Sequence, residues 1–203
     1  AKAVNEVTQL TSITAKHILL ASECVHTLIY LIPHVIKRLE SKLEGAQKRL
    51  LKFDDLLKTL KSHQDELKSK IYSLMQDRVK DQTQAGIKFP WDAVAPDQKT
   101  PVHGVARDLA YLLKISEQFL GTHKNEQIEY LTNIIRMFFD KLKNLIEGLR
   151  TRIKSKSGKD RLRKEIVQFR HLLNLEPNRG KYSSDIDIYE LEKLYEQCFV
   201  QSN

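Results

Sequence analysis

Residues 18–39 read ILLASECVHTLIYLIPHVIKRL, and apolar side chains recur in this stretch every three or four positions. This spacing places them on one side of an α-helix, and an apolar stripe of that kind is normally buried against another element. The stretch therefore predicts a long packed helix over 4–44. A second apolar stripe predicts that its amino-terminal half contacts partners on two sides. The first stripe is Ile18, Ala21, Val25, Leu28, Ile32, Val35 and Leu39, and the second is Leu10, Ile13, His17, Leu20 and Cys24.

Proline and glycine are rare around this helix, because the first 85 residues contain one of each, Pro33 and Gly45. Proline lacks an amide hydrogen and its ring clashes with the preceding turn, so we expect a kink at Pro33. Glycine accommodates the left-handed backbone that often ends a helix, so we expect Gly45 to close the first helix.

The same spacing predicts five more helices, with a proline-rich loop after the second. At about 1.5 Å per residue the first two helices would each be roughly 50 to 60 Å long, which predicts an all-α, elongated antiparallel helical-bundle rod over 1–203. Within the loop, Phe89 and Trp91 flank Pro90, and we favour a plug that packs onto the bundle over an exposed binding peptide. The five helices cover 47–80, 102–121, 124–153, 160–173 and 186–200, and the loop covers 81–101.

Composition narrows the class of protein. Of the 203 residues, 41% are hydrophobic, 30% charged and 7% aromatic, which suits solvated helices packed through aliphatic seams. The two cysteines, Cys24 and Cys198, give no disulfide framework and favour a reducing compartment. The longest charge-free apolar run, 24–36, is shorter than the roughly 20 residues that span a bilayer, so we expect no membrane span and no signal peptide.

The sequence contains none of the common catalytic or metal-binding motifs. A glycine-rich phosphate loop, a His-Glu-x-x-His pair, a paired-cysteine cluster and a Gly-x-Ser-x-Gly turn are all missing from it. We therefore expect no enzyme, no cofactor and no metal. His17 lies on an apolar stripe, where a hydrogen-bonded core or interface histidine is favoured over a metal ligand.

The formal net charge of +8 is concentrated near the carboxyl end, where residues 150–170 hold nine cations and two anions. Such a cluster attracts anionic lipid headgroups, at about 1 kcal/mol per nearby cation, or an acidic partner. A solvated charged hairpin without a ligand is the alternative. We call residues 150–164 the basic segment. Its predicted membrane- or partner-binding residues are Arg150, Arg152, Lys154, Lys156, Lys159, Arg161, Arg163 and Lys164.

Three short motifs carry a resemblance to a known family. They are Leu31-Ile32-Pro33, Lys52-Phe53-Asp54 and His63-x-x-Glu66-Leu67-x-x-Lys70-Ile71-x-x-Leu74-Met75. In this order, with the proline-rich break after the second helix, they resemble the carboxy-terminal region of the vacuolar protein sorting-associated protein 54 family. The likeness continues from Val105 to Leu149, to about three quarters of the chain, whereas residues 89–91 and the basic segment depart from the pattern.

The resemblance implies a non-enzymatic part of a longer subunit of the Golgi-associated retrograde protein (GARP) complex, whose amino-terminal coiled-coil region would serve assembly. Such a tether captures endosome-derived carriers at the trans-Golgi network, so the chain would be cytosolic and peripheral on trans-Golgi and endosome membranes. The implied partners are other tethering-complex subunits, and further candidates are an anionic membrane surface, a small GTPase and fusion proteins. We expect no nucleic acid as a partner, because only Phe169 interleaves with the cations and no nucleic-acid-binding signature accompanies them. Two alternatives stay open: a basic helical protein that binds nucleic acid, and an adaptor bundle whose apolar groove takes an amphipathic helix.

Overall fold

The structure is a computed structural model that describes residues 14–45, 53–93, 99–119, 124–174, 186–187 and 189–200. Within these ranges the chain forms α-helices and no strand, so the all-α prediction is confirmed. The six helices of the described residues are α1 (Ala15–Glu40), α2 (Asp54–Lys88), α3 (Pro101–Phe119), α4 (Lys124–Leu149), α5 (Lys156–Asn174) and α6 (Glu190–Phe199).

The chain divides into two compact units. The first consists of residues 1–74 and 115–120, and the second of residues 75–114 and 121–203. The prediction of a single elongated domain over 1–203 stays a prediction.

In the first unit, the face that α1 buries overlaps only partly with the predicted one: Ile18, Ala21, Val25 and Ile32 are buried or partly buried as expected. Ile18 is buried, and the partly buried positions that follow it in steps of three or four residues are Ser22, Val25, Ile29, Ile32 and Ile36. Leu28, Val35 and Leu39 of the predicted inward stripe are exposed instead, so the prediction is wrong at these three residues. Apolar residues lie on both sides of this helix, and their spacing alone does not say which side is covered.

The two ends of α1 are marked by Thr14 at its start and by Gly45 shortly after its last residue. The helix begins after Thr14, whose backbone N–H donates to His17 Nδ1 at 3.3 Å. His17 is therefore hydrogen-bonded, as expected, but exposed, so that it does not lie in a core. The helix continues through Pro33 and ends at Glu40, and Gly45 has the expected positive φ of 40°. Predicted residues 4–13 of this helix lie outside the described residues.

A polar pair joins α1 to α2 inside the first unit. The His26 side chain is buried, and its Nδ1 lies 2.8 Å from Nε2 of Gln64. Gln64 is the residue that interrupts the apolar stripe of α2. Burying an imidazole without hydrogen bonds costs free energy, and the glutamine side chain offsets part of that cost. The break in the stripe therefore has a structural role.

The second unit contains a large aliphatic and aromatic core. The sequence of α4 predicts seven inward apolar positions, spaced three or four residues apart from Ile128 to Leu149. Six of the seven are buried, and Ile128 is half-buried. The ring of Phe139 meets that of Phe169 in α5 edge-to-face, with centroids 5.4 Å apart. The six buried positions are Leu131, Ile135, Phe138, Leu142, Leu145 and Leu149.

Helix α2 is longer than predicted at its carboxyl end. It continues to Lys88, whereas the sequence places a loop from residue 81. Gly86 is tolerated inside it because a side-chain carbon at this position would lie 3.0 Å from Leu145, so the small residue allows α2 and α4 to pack closely. The helix stops two residues before Pro90, because proline disfavours a helical residue directly before it.

Trp91 closes this region as a plug. Its side chain is buried, its Nε1–H donates to the carbonyl of Gly86 at 2.8 Å, and its ring packs edge-to-face on Phe89. The plug interpretation of this aromatic pair is thus confirmed for Trp91. Helix α3 begins at Pro101, one residue before the predicted start at 102, and Thr100 Oγ1 accepts a hydrogen bond from the N–H of His103 at 3.2 Å.

We predict that Gln64→Leu lowers the free energy of unfolding by about 1 kcal/mol, because it removes the side-chain partner of His26 Nδ1. Thermal or chemical denaturation of the two variants against wild type measures the effect. The double variant His26→Leu/Gln64→Leu is the control and is expected to recover most of the loss, since it removes both polar groups. A single variant as stable as wild type would contradict this account.

Candidate functional site: the basic segment and the apolar stripe of α1

The basic segment begins where α4 ends. The helix stops at Leu149, four residues before the predicted end, and the carbonyl of Leu149 accepts from the N–H groups of Arg152 and Ile153 at 3.0 Å each. Helix α5 then begins at Lys156 rather than at the predicted Asp160. The basic segment is therefore a short connection followed by the first turns of α5.

Asp92 holds this connection from the loop that follows α2. Its Oδ2 accepts from the N–H of Lys154 at 3.0 Å, and its Oδ1 accepts from the N–H and the hydroxyl of Ser155 at 3.1 and 2.7 Å. We call these three hydrogen bonds the Asp92 clasp. They lower the pKa of Asp92 below its ordinary 3.8, the bond from the Lys154 backbone most of all, because each favours the charged carboxylate.

Ser155 connects the Asp92 clasp to the start of α5. Its hydroxyl donates to Asp92 and accepts from the N–H of Gly158 at 2.9 Å, so that it caps the first turn of the helix. The apolar spacing of this helix begins at Leu162, so it does not reveal a start at Lys156. The signal available in the sequence was a serine three residues before the glycine, but its partner Asp92 lies 63 residues away.

Several predicted binding residues are used inside the second unit. Arg152 Nη1 donates to the carbonyl of Ile87 at 3.0 Å, in the last turn of α2, where helix carbonyls lack partners. Lys159 Nζ donates to the carbonyl of Phe199 at 3.3 Å, and Arg163 lies 3.3 Å from Glu196. These three cations stabilise the fold. Fewer of the eight predicted binding residues are therefore available to a ligand.

Helix α6 supplies the acidic side of this arrangement. Glu190 lies 2.8 Å from Lys143 of α4, and Glu192 lies 2.8 Å from Arg170 of α5. Together with the Glu196 pair, these contacts fix α6 across α4 and α5. They also neutralise part of the positive charge that the sequence concentrates here.

A groove of about 420 Å³ remains on the first turns of α5, and we call it the basic groove. Among the described residues it is lined by Lys156, Ser157, Asp160, Arg161 and Lys164. Lys156 and Lys164 are exposed, whereas Arg161 is 9% exposed and interacts electrostatically with the half-buried Glu165. Three predicted residues thus meet at one groove. Arg150 and Lys154 are exposed outside this lining.

The buried side of this region contains a second polar cluster. Burial raises the pKa of Glu165, while a hydrogen bond with Thr100 and the charges of His103 and Arg161 oppose that rise. The cluster joins the start of α3 to α5 inside the second unit. It leaves Arg161 with an acidic neighbour, so the uncompensated charge of the groove comes mainly from its two lysines.

The first unit offers a surface of a different kind on α1. Five apolar side chains on one face of the helix are 39 to 53% exposed. We call this face the apolar stripe of α1. It consists of Leu20, Leu28, Leu31, Val35 and Leu39.

By length and composition, α1 is also a candidate membrane span. Its most apolar 18-residue window has a mean hydropathy of 1.5, with 17% of the window buried. The sequence expectation of no membrane span was based on the length of the charge-free run alone. The hydropathy window allows a few charged residues, and α1 reaches this mean hydropathy although Glu23 lies inside the window. The core helix of a soluble protein passes the same test, so this composition does not assign α1 to a membrane.

Among the residues that the structure describes, no group of three or more His, Cys, Asp or Glu side chains is placed to hold a metal ion. Both cysteines are free thiols, Cys24 exposed and Cys198 buried. The candidate sites that remain are two exposed surfaces of an all-α protein, an apolar one in the first unit and a basic one in the second.

Comparison with known proteins assigns part of the chain to a family. Residues 1–78 match the family model of the Vps54-like protein, which confirms over this range the relationship to Vps54 that the sequence motifs indicate. The match covers α1 and most of α2. The likeness over Val105 to Leu149 stays a prediction. Comparisons with curated proteins and with solved structures gave no match.

We predict that Gly158→Ala destabilises the protein by about 1 to 3 kcal/mol, because the added carbon would lie 2.4 Å from Asp92 Oδ1 and 2.9 Å from Ile153 Cγ2. Denaturation midpoints measure this. Gly148→Ala is the matched control, since no atom lies within 4 Å of its added carbon, and it should stabilise α4 by about 0.5 to 1 kcal/mol. Equal effects of the two substitutions would contradict the described packing.

We predict that Asp92→Asn lowers the melting temperature at neutral pH, because an amide cannot accept at both of its terminal atoms. Since folding lowers the pKa of Asp92, its stabilisation is complete above the ordinary value of 3.8 and is lost as pH falls through the folded-state pKa. The difference in melting temperature between wild type and variant should therefore shrink in strong acid. A difference that is constant from neutral to acidic pH would argue against the clasp.

Proposed function

We propose that this chain is a non-enzymatic part of a vesicle-tethering complex subunit that acts in retrograde transport from endosomes to the trans-Golgi network. The observation that carries the proposal is the match of residues 1–78 to the Vps54-like protein family. In this role the protein is cytosolic and peripheral on trans-Golgi and endosome membranes. Its helices act as a scaffold that presents contact surfaces, and no chemical turnover is required.

The apolar stripe of α1 is the proposed contact for another subunit of the complex. It lies inside the region of the family match, and its members are spaced four, seven or eight residues apart, or three at Leu28 and Leu31. A stripe with this spacing fits the apolar stripe of another α-helix. The proposed occupant is therefore an amphipathic helix of a second tethering-complex subunit.

The basic segment is the proposed contact for the membrane. Its exposed cations attract anionic headgroups, and each is worth about 1 kcal/mol near the surface. A small GTPase or a fusion protein with an acidic surface would compete for the same cations. This part of the proposal is independent of the α1 stripe, because the two surfaces belong to different units.

Affinity purification of the tagged chain from cell extract tests the proposal. We predict that wild type retrieves other tethering-complex subunits and that Leu28→Glu/Val35→Glu loses them without a fall in melting temperature, because both side chains are exposed. Tyr111→Glu/Val200→Glu is the matched control, since it replaces two apolar side chains of similar exposure in the second unit.

Two results would contradict the proposal, each at a different point. Retention of the subunits by Leu28→Glu/Val35→Glu would remove the α1 stripe as their binding surface. A wild-type chain that retrieves no tethering-complex subunit, although it is folded, would count against the tethering role itself.

A further inference from the structure

The basic groove differs from an ordinary solvated charged surface in the way that its cations are arranged. Lys156 and Lys164 are eight residues apart on α5, so both lie on one face of the helix, with Asp160 between them. Both lysines are exposed, and among the described residues neither has an ion pair or a hydrogen bond. Their ammonium groups are therefore available to a ligand.

The other lining groups add donors with different geometry. Arg161 contributes a guanidinium, which presents planar N–H donors that match phosphate oxygens. Ser157 contributes a hydroxyl. Among the residues that the structure describes, the groove thus combines two exposed lysines, one arginine that neighbours Glu165, one hydroxyl and the carboxylate of Asp160. This set favours an anion with several oxygens over a neutral or cationic ligand.

The size of the groove constrains the anion further. At about 420 Å³ it lies in the range of small-molecule sites, and it is larger than a single phosphate requires. A phosphate attached to a sugar-like ring would fill more of it. A monoester phosphate carries up to two charges at neutral pH, whereas a diester carries one, so a monoester gains more from the paired lysines.

We propose that the basic groove binds the phosphate monoester of a phosphorylated inositol lipid headgroup. This inference rests on the proposed membrane contact of the basic segment and names the ligand of that contact. The exposure of Lys154, Lys156 and Lys164 around an open groove places these cations where a membrane surface can reach them. The Asp92 clasp fixes the backbone at Lys154 and Ser155, immediately before the groove, which positions its first residues.

Vesicle flotation tests this ligand. Phosphatidylcholine vesicles that contain phosphatidylinositol 4-phosphate are compared with vesicles in which phosphatidylinositol and phosphatidylserine replace that lipid at equal total charge. The wild-type chain should bind the phosphorylated lipid at least about tenfold more tightly at physiological ionic strength, where screening weakens contacts that depend on surface charge alone.

Variants of the lining residues identify the site. Lys156→Glu/Lys164→Glu should weaken binding by about thirtyfold or more, since each cation near an anionic surface contributes about fivefold. Lys80→Glu/Lys114→Glu changes the net charge equally at two exposed lysines of the same unit and should retain the preference. Asp160→Asn should strengthen binding, because it removes the carboxylate that lies among the described lining residues of the groove.

Soluble inositol 1,4-bisphosphate separates a lipid from a free phosphate compound. It should compete with the vesicles but bind more weakly, because it lacks the membrane surface that the surrounding cations contact. If it binds as tightly as the vesicles, the lipid assignment is overturned. Duplex DNA is compared with inositol bisphosphate at equal phosphate concentration. If the DNA displaces the protein from the vesicles more effectively, the lipid assignment is also overturned, in favour of nucleic acid.

The remaining outcomes distinguish this inference from the proposed function. Equal binding to both charge-matched vesicles, or equal loss in the two double variants, would overturn the groove as a phosphate site while leaving a charge-based membrane contact. A folded chain that binds neither vesicle would overturn the groove and the membrane contact together. The retrieval of tethering-complex subunits is measured separately and is unaffected by any of these results.

Discussion

The geometry of the basic segment depends on one carboxylate. Asp92 lies just after the Trp91 plug, and its hydrogen bonds reach the connection between α4 and α5, 62 and 63 residues later in the chain. The plug fixes the position of Asp92, because Trp91 is buried and bonded to Gly86. Asp92 in turn fixes Ser155, which caps α5. A segment that carries mutually repelling cations is thereby held in one conformation.

Within the second unit, the fold divides the cations by role. Arg152 caps the end of α2, and Lys159 and Arg163 bind to α6, so their charges serve tertiary structure. Lys156 and Lys164 stay exposed at the basic groove. Helix α6 makes this division possible because its glutamates are spaced along the side that meets α4 and α5. A count of charges in the sequence gives the total but not this division, which depends on contacts between residues far apart in the chain.

The sequence predicts the helical class and most inward positions of α4, because an uninterrupted apolar stripe with polar residues opposite it has one stable orientation. It fails on α1, where apolar residues occur on both faces and the choice of buried side is made by the partners. It also misplaces the end of α2 by eight residues, and the end of α4 and the start of α5 by four residues each. The end of α2 is set by Pro90 and by Arg152, and the start of α5 is set by the Asp92 clasp. Arg152 and the clasp both involve partners that are far away in the chain. The basic segment is visible in the charge pattern, whereas its groove is visible only in three dimensions.

The two candidate surfaces respond in opposite ways to salt, which follows from their chemistry. Contacts of the apolar stripe of α1 gain from the removal of hydrocarbon from water, and excluded salts such as sulfate strengthen them. Contacts of the basic groove are electrostatic and are screened over about 10 Å at about 0.1 M ionic strength. A protein with both surfaces can keep a subunit partner while it releases an anionic surface as ionic strength rises. In the proposed tethering role this separation is useful, because stable assembly and reversible membrane contact then depend on different forces.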